Sequence, residues 1–223
     1  MKIQYASDLH LEFRENTVFL TAHPLEVSGD ILVLAGDIHV FRGRAWERHP
    51  FFDWCAEHYL QTYIIPCNHE YYDGVELCER FDDYEYFIRE NVRYINNRST
   101  VMNGVELFFT TLWSIIQPVE IVTVQMGLTD CRRIKDVALQ RTTMRHCTGR
   151  AFHGLAMHYN NQKPPRRLLL PIISRRSVFP IHALSTVTSI LPLRWILIIL
   201  SNKAESIIGY TGIRITTEVA EQG

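Results

Sequence analysis

Apolar and polar positions fall in short blocks along the first third of the chain. Lys2-Ile3-Gln4-Tyr5-Ala6 alternates between the two and reads as a short strand that stops at Ser7-Asp8. Asp30 to Ala35 is a continuous apolar run after its first residue, bounded by Gly29 and Gly36, the pattern of a strand covered on both faces. Phe51 to Tyr59 mixes polar and apolar residues and predicts a helix. Tyr63-Ile64-Ile65 predicts another short strand, stopped by Pro66. Leu77, Phe81, Tyr84, Phe87 and Ile88 recur at helical spacing with acids between them, so Leu77 to Glu90 is expected to be a helix. Val92 to Asn96 predicts a strand. Thr100 to Met102 and Val105 to Thr110, joined by Asn103-Gly104, predict a hairpin with a type I′ turn. Strands alternating with helices imply a layered α/β or α+β fold.

Beyond about Asp136 this pattern dissolves. Ile181 to Leu200 is apolar and β-branched but contains His182, Pro192 and Arg194. A membrane span needs about 20 clean apolar residues, and a central arginine costs roughly 2.5–3.5 kcal/mol on insertion scales. That stretch is therefore a poor span. No internal repeat is visible.

Composition changes this picture at one place. The whole chain of 223 residues is ordinary, with 47% hydrophobic residues, 21% charged residues and a net charge of −1. A polyanion partner is not indicated, because nucleic-acid binders usually carry a basic patch or a high pI. The average hides a seam. Residues 1–136 hold 12 Lys and Arg against 21 Asp and Glu, a net of −9; residues 137–223 hold 11 against 3, a net of +8. The chain thus divides at about residue 136. Five cysteines (Cys55, Cys67, Cys78, Cys131 and Cys147) form neither a C-x-x-C motif nor an even set. That fits a reducing, cytoplasmic setting better than a disulfide framework. The first residues lack the basic and apolar regions of a signal peptide.

Three clusters of ligand-type residues follow three of the predicted strands: Asp8-Leu9-His10, Gly36-Asp37 and Asn68-His69-Glu70. Loops beyond the carboxyl ends of strands in layered α/β folds converge on one edge, so the clusters can meet. Carboxylate, imidazole and amide donors suit divalent Mn, Fe or Zn. Two such ions about 3.5–4 Å apart can clamp a phosphoryl group and acidify a water between them. Asp37, on the central strand, is the candidate bridge. Taken singly, each cluster is more often a turn or a helix cap than a metal site. Order, placement and donor chemistry together make the case.

Ser7-Asp8-Leu9-His10, Ala35-Gly36-Asp37 and Asn68-His69-Glu70-Tyr71-Tyr72 resemble the first three motifs of the calcineurin-like metallophosphoesterases. The resemblance implies a β-sandwich flanked by helices and a centre of two divalent metal ions. By that likeness Asp8 and His10 bind the first metal, Asp37 bridges both, and Asn68 binds the second. His69 stays unligated and donates a proton to the leaving oxygen, with Glu70 supporting it. The substrate would be a phosphate ester of a small molecule or a nucleotide. Cys67 stands where the family has glycine, and a positive φ there would strain it. The likeness continues through Val105 to Trp113 and includes Asp130 to Asp136. In that last stretch Arg132 and Arg133 read either as a substrate-side loop or as a solvated basic turn. Tyr71, Tyr72 and Trp113 are candidates for a pocket wall or for the core.

The family's later histidine motifs are absent from residues 137–223, where His146, His153, His158 and His182 stand in other settings. A one-base frameshift between the codons for Asp136 and Arg145 accounts for this. With suitable third bases, Ile208 to Ile215 re-reads as a segment containing Gly-His-Thr-His. Arg166 to Ile173 re-reads as Thr-Val-Val-Val-Thr-His-His. Residues 1–136 are then the first half of the domain. Residues 137–223 are an out-of-frame segment, expected to be incomplete or disordered, and activity is expected to be impaired or lost. The other reading is a divergent carboxy-terminal domain; in either case the chain can be a catalytically silent remnant that binds metal weakly.

Overall fold

A computed structural model describes residues 1–67, 69–72, 84–112, 166–173 and 196–197. Five strands form the first sheet: β1 (Ile3–Ala6), β2 (Ile31–Ala35), β3 (Gln61–Ile65), β4 (Tyr84–Arg89) and β5 (Val92–Asn96). Their order is β1-β2-β3-β5-β4, with β4 alone antiparallel to its neighbour. A second sheet holds β6 (Arg98–Met102), β7 (Val105–Leu112), β8 (Arg166–Ile173) and β9 (Ile196–Leu197) in that order. Helices α1 (Arg14–Ala22) and α2 (Pro50–His58) complete the described elements.

β2 shows how the layers arise. Ile31, Val33 and Ala35 join one buried cluster with Val105, Leu107 and Phe109 of the second sheet. Leu32 and Leu34, pointing the other way, join a second cluster with Leu20 of α1 and Phe52 and Cys55 of α2. One strand therefore serves a sheet-on-sheet layer and a sheet-on-helix layer, and this requires every residue of it to be apolar. Between the sheets the rings of Tyr63 and Phe109 stack at 4.6 Å. The outer layer centres on Phe41, Trp46 and Tyr94, whose rings meet edge-on or tilted at 4.7–5.4 Å. Such edge-on aromatic pairs are preferred over face-to-face ones.

α2 begins at Pro50, which occupies the first helical turn where its missing N–H costs nothing. Its cap is unusual, since the Nδ1 of His49 accepts the Phe51 N–H at 3.2 Å. The expected hairpin is present, with Asn103 at φ 48° and Gly104 at φ 74°, the two left-handed positions of a type I′ turn.

One expectation is corrected. Tyr84 to Arg89 is a strand, β4, not the end of a helix. Tyr84, Tyr86 and Ile88 pack on the core while Glu85 and Phe87 point away, so the period is two. Aromatic and β-branched residues favour that pleated surface. Residues 73–83, the rest of the expected helix, lie outside the described residues. Two segments beyond residue 136 are among the described residues. β8 pairs in parallel with β7 along its whole length, from Val105 opposite Arg166 to Leu112 opposite Ile173, and β9 pairs with β8. No helix among the described residues is long and apolar enough to cross a membrane.

Candidate metal centre

The carboxyl ends of the adjacent parallel strands β1, β2 and β3 lie side by side, and the three ligand-type clusters follow them. The loop after β1 is tied to the loop after β2 by main-chain bonds. The N–H of Asp8 donates to the Gly36 carbonyl (3.0 Å), that of His10 to Asp37 (2.9 Å) and that of Leu11 to Ile38 (2.8 Å). From α1, the buried Asn16 amide donates to the carbonyls of Leu9 and His10 at 3.0 and 3.1 Å.

Glu70 ties the second loop to the third. Its fully buried carboxylate accepts the N–H groups of Ile38 (2.7 Å), Cys67 (2.7 Å) and Asp37 (3.2 Å). Burial and the charge of Asp37 push this carboxyl up, and the Ile38 and Cys67 amides pull it back. Glu70 therefore supports Asp37 and the third loop through the main chain rather than by hydrogen-bonding His69.

These ties bring Asp8, His10 and Asp37 together, with one potential ligand atom from each lying within 4.8 Å of the others. All three residues have left-handed backbone, at φ 60°, 46° and 55°. Residues other than glycine adopt that region rarely, and such strain gathers at functional sites. Asp37 is pushed upward by burial and by the neighbouring Asp8 carboxylate. Asp37 Oδ1 and His10 Nδ1 are buried without a hydrogen-bond partner. A cation fits this set, since it would satisfy both atoms and offset the repulsion between two buried carboxylates.

His69 stands beside the set, its ring 4.4 Å from that of His10 and nearly perpendicular to it. Its Nε2 donates to Glu12 Oε1. Sequence reasoning missed Glu12. Its carboxyl falls to about 2: burial opposes ionisation, but the close approach of His10 and the hydrogen bond and charge of His69 outweigh that opposition. Burial works against a proton on His69 too, and the Glu12 carboxylate more than compensates, raising its pKa. No local pattern marks Glu12, because its partner lies 57 positions away in the chain.

Asn68, Trp113, Asp130 to Asp136 and the histidines at 146, 153, 158 and 182 lie outside the described residues. Cys67 is buried and is not among the residues with positive φ, so the feared strain does not arise. Tyr71 belongs to the core, with its ring against Phe41 at 5.6 Å. Tyr72 packs against His69 at 4.8 Å, at the site.

No family model and no curated protein matches the chain. Among solved structures it is similar to the phosphopantetheinyl hydrolase PptH from Mycobacterium tuberculosis, at 15% identity and a TM-score of 0.45. The match covers 80% of this chain and 68% of that one. A likeness of this degree assigns neither fold nor activity.

Proposed function

We propose that the loops after β1, β2 and β3 form the amino-terminal half of a metallophosphoesterase centre that hydrolyses a phosphate ester of a small molecule or nucleotide. The observation that carries this reading is the convergence of Asp8, His10 and Asp37, all with left-handed backbone, at the ends of the adjacent parallel strands β1 and β2. Asp8 and His10 would hold one divalent ion, Asn68 would hold a second, and Asp37 would serve both. Two bound ions of Mn, Fe or Zn would supply charge neutralisation for phosphoryl oxygens and acidify a water. The residues supply position. Glu70 and the amides it accepts fix Asp37. Asn16 fixes the His10 loop. Glu12 orients His69, which keeps a proton at Nε2 next to the cluster.

Turnover is impaired or absent in this reading, because residues 137–223 contain neither of the later histidine motifs of the resembled family. A frameshift near codons 136 to 145 is the proposed cause, and the nucleotide sequence of Ile207 to Ile215 decides it. The alternative, a silent remnant that binds metal weakly, is separated from an active hydrolase by two measurements on the full chain. These are metal content by plasma mass spectrometry and aryl phosphate hydrolysis with added Mn²⁺. Two equivalents of metal with turnover supports the hydrolase, and less than one equivalent without turnover supports the remnant. If Asp37→Asn leaves metal content unchanged, the site assignment is wrong.

A further inference from the structure

Phe13 breaks a local preference without a gain to the fold. It sits at the cap of the amino end of α1, where Ser, Thr, Asp and Asn are favoured because their side chains accept a main-chain N–H. No side-chain bond caps this end of α1. Phe13 belongs to neither buried cluster and is 52% exposed. Departures of this kind are expected where function imposes them. The main chain of Phe13 is nonetheless fixed to the site. Its N–H donates to the His10 carbonyl at 3.1 Å, and its own carbonyl accepts the N–H groups of Asn16 (3.1 Å) and Thr17 (3.2 Å). Two other phenylalanines among the described residues are exposed, Phe19 stacking on His23 at 4.7 Å and Phe87 lying under Arg93. Phe13 instead stands beside a residue of the proposed centre, its ring 6.1 Å from that of His10.

Four rings follow one another across the loops after β1 and β3: Phe13, His10, His69 and Tyr72, with centroids 6.1, 4.4 and 4.8 Å apart. The inner two are imidazoles of the proposed centre. The outer two are carbon rings that the fold leaves partly uncovered. In the phosphoesterase reading His69 gives its proton to the leaving oxygen, so the group carried by that oxygen emerges beside these rings. Aromatic side chains favour a flat partner, by offset or edge-on contact, beyond the apolar area that is buried. We infer that Phe13, together with Tyr72, selects esters whose alcohol part carries a flat aromatic ring, a nucleobase or an aryl group, over sugar and alkyl phosphates. This inference rests on the phosphoesterase reading and narrows its substrate class.

The test reads binding rather than turnover, by equilibrium dialysis of the full chain at one fixed free Mn²⁺ concentration. Two pairs of probes are compared: AMP with ribose 5-phosphate, and phenyl phosphate with methyl phosphate. The ring-bearing member of a pair should bind about fivefold or more tightly than its partner, as stacking on an aromatic side chain does elsewhere. A preference in the AMP pair alone assigns a nucleobase, one in the phenyl pair alone assigns a simple aryl group, and either upholds the inference. Phe13→Ser should erase the preference while supplying the missing cap to α1. Phe13→Tyr should retain it. Phe13→Asn, another capping residue, replaces Phe13→Ser if circular dichroism shows that variant unfolded, and the same loss is expected of it. The inference is overturned if neither pair shows a preference, or if the preference survives the capping substitution. Either result leaves the phosphoesterase reading standing so long as the phosphates bind more tightly with Mn²⁺ than without it. If none of the four does, that reading falls and the inference falls with it.

Discussion

Gly36 and Cys67 approach so closely that a Cβ on Gly36 would lie 2.4 Å from the Cys67 Cβ. Gly36 also has φ +79°. Alanine there meets two penalties, a left-handed backbone costing about 1–2 kcal/mol and overpacking costing about 1–3 kcal/mol. Gly36→Ala should therefore lower stability by about 3 kcal/mol in urea unfolding. It should also weaken metal binding, since Asp37 is the next residue.

Gly104 is the contrasting case. Its φ is +74°, but nothing lies within 4 Å of where its Cβ would be. Only the conformational penalty remains, so Gly104→Ala should cost about 1–2 kcal/mol. The same denaturant measurement should rank it well below Gly36→Ala.

Glu70→Ala removes the shared acceptor of three N–H groups, two of which are given to a fully buried carboxylate at 2.7 Å. Each orphaned buried donor costs about 1–3 kcal/mol, so a loss of about 3 kcal/mol or more is expected. Glu70→Gln keeps one oxygen and should cost less. Both should lower Mn²⁺ affinity by about tenfold or more, as loss of support behind a ligand does elsewhere. Calorimetric titration with Mn²⁺ reads this directly.

His49 gives the fold a dependence on pH. Its Nδ1 accepts from Phe51, so the neutral ring carries its proton on Nε2 and can donate to Thr17 Oγ1 at 3.0 Å. Burial, with a smaller push from His39, lowers its pKa from 6.5 to about 4. The unfolded chain therefore binds the proton more readily than the folded one. Stability is complete above about pH 6.5 and is lost as pH falls toward 4. His49→Asn keeps a capping acceptor without titrating there. It should flatten the thermal midpoint against pH between 6.5 and 4, and an unchanged slope would contradict this account.

The parts of this molecule that sequence reveals are those whose residue pattern suits a single local structure. β2 was legible because Gly29 and Gly36 bracket an uninterrupted apolar run, and the hairpin because Asn103-Gly104 suits a single turn type. The strand ends then located Asp8, His10 and Asp37. α1 escaped notice because it buries only Asn16 and Leu20 while Val18 and Phe19 stay exposed, leaving no apolar stripe. β4 was misread because Tyr84, Phe87 and Ile88 suit a period near 3.6, until Phe87 proves exposed. There it lies under the Arg93 guanidinium, 5.0 Å from the ring centre. Glu12 and Glu70 owe their roles to partners brought near only by folding, across 57 positions for His69 and 32 for Ile38.

The double burial of β2 has a consequence for the evolution of such a chain. Hydrogen-bonded on both edges and covered on both faces, the strand cannot slide along its neighbours without turning Ile31, Val33 and Ala35 into the wrong layer. Asp37 follows two residues later, so the same constraint that seats these side chains also measures out where its carboxylate arrives. A single codon gained or lost between Ile31 and Asp37 would thus displace the ligand and unseat the layers in one event. Drift in this segment is accordingly confined to exchanges of similar apolar residues, never to changes of length.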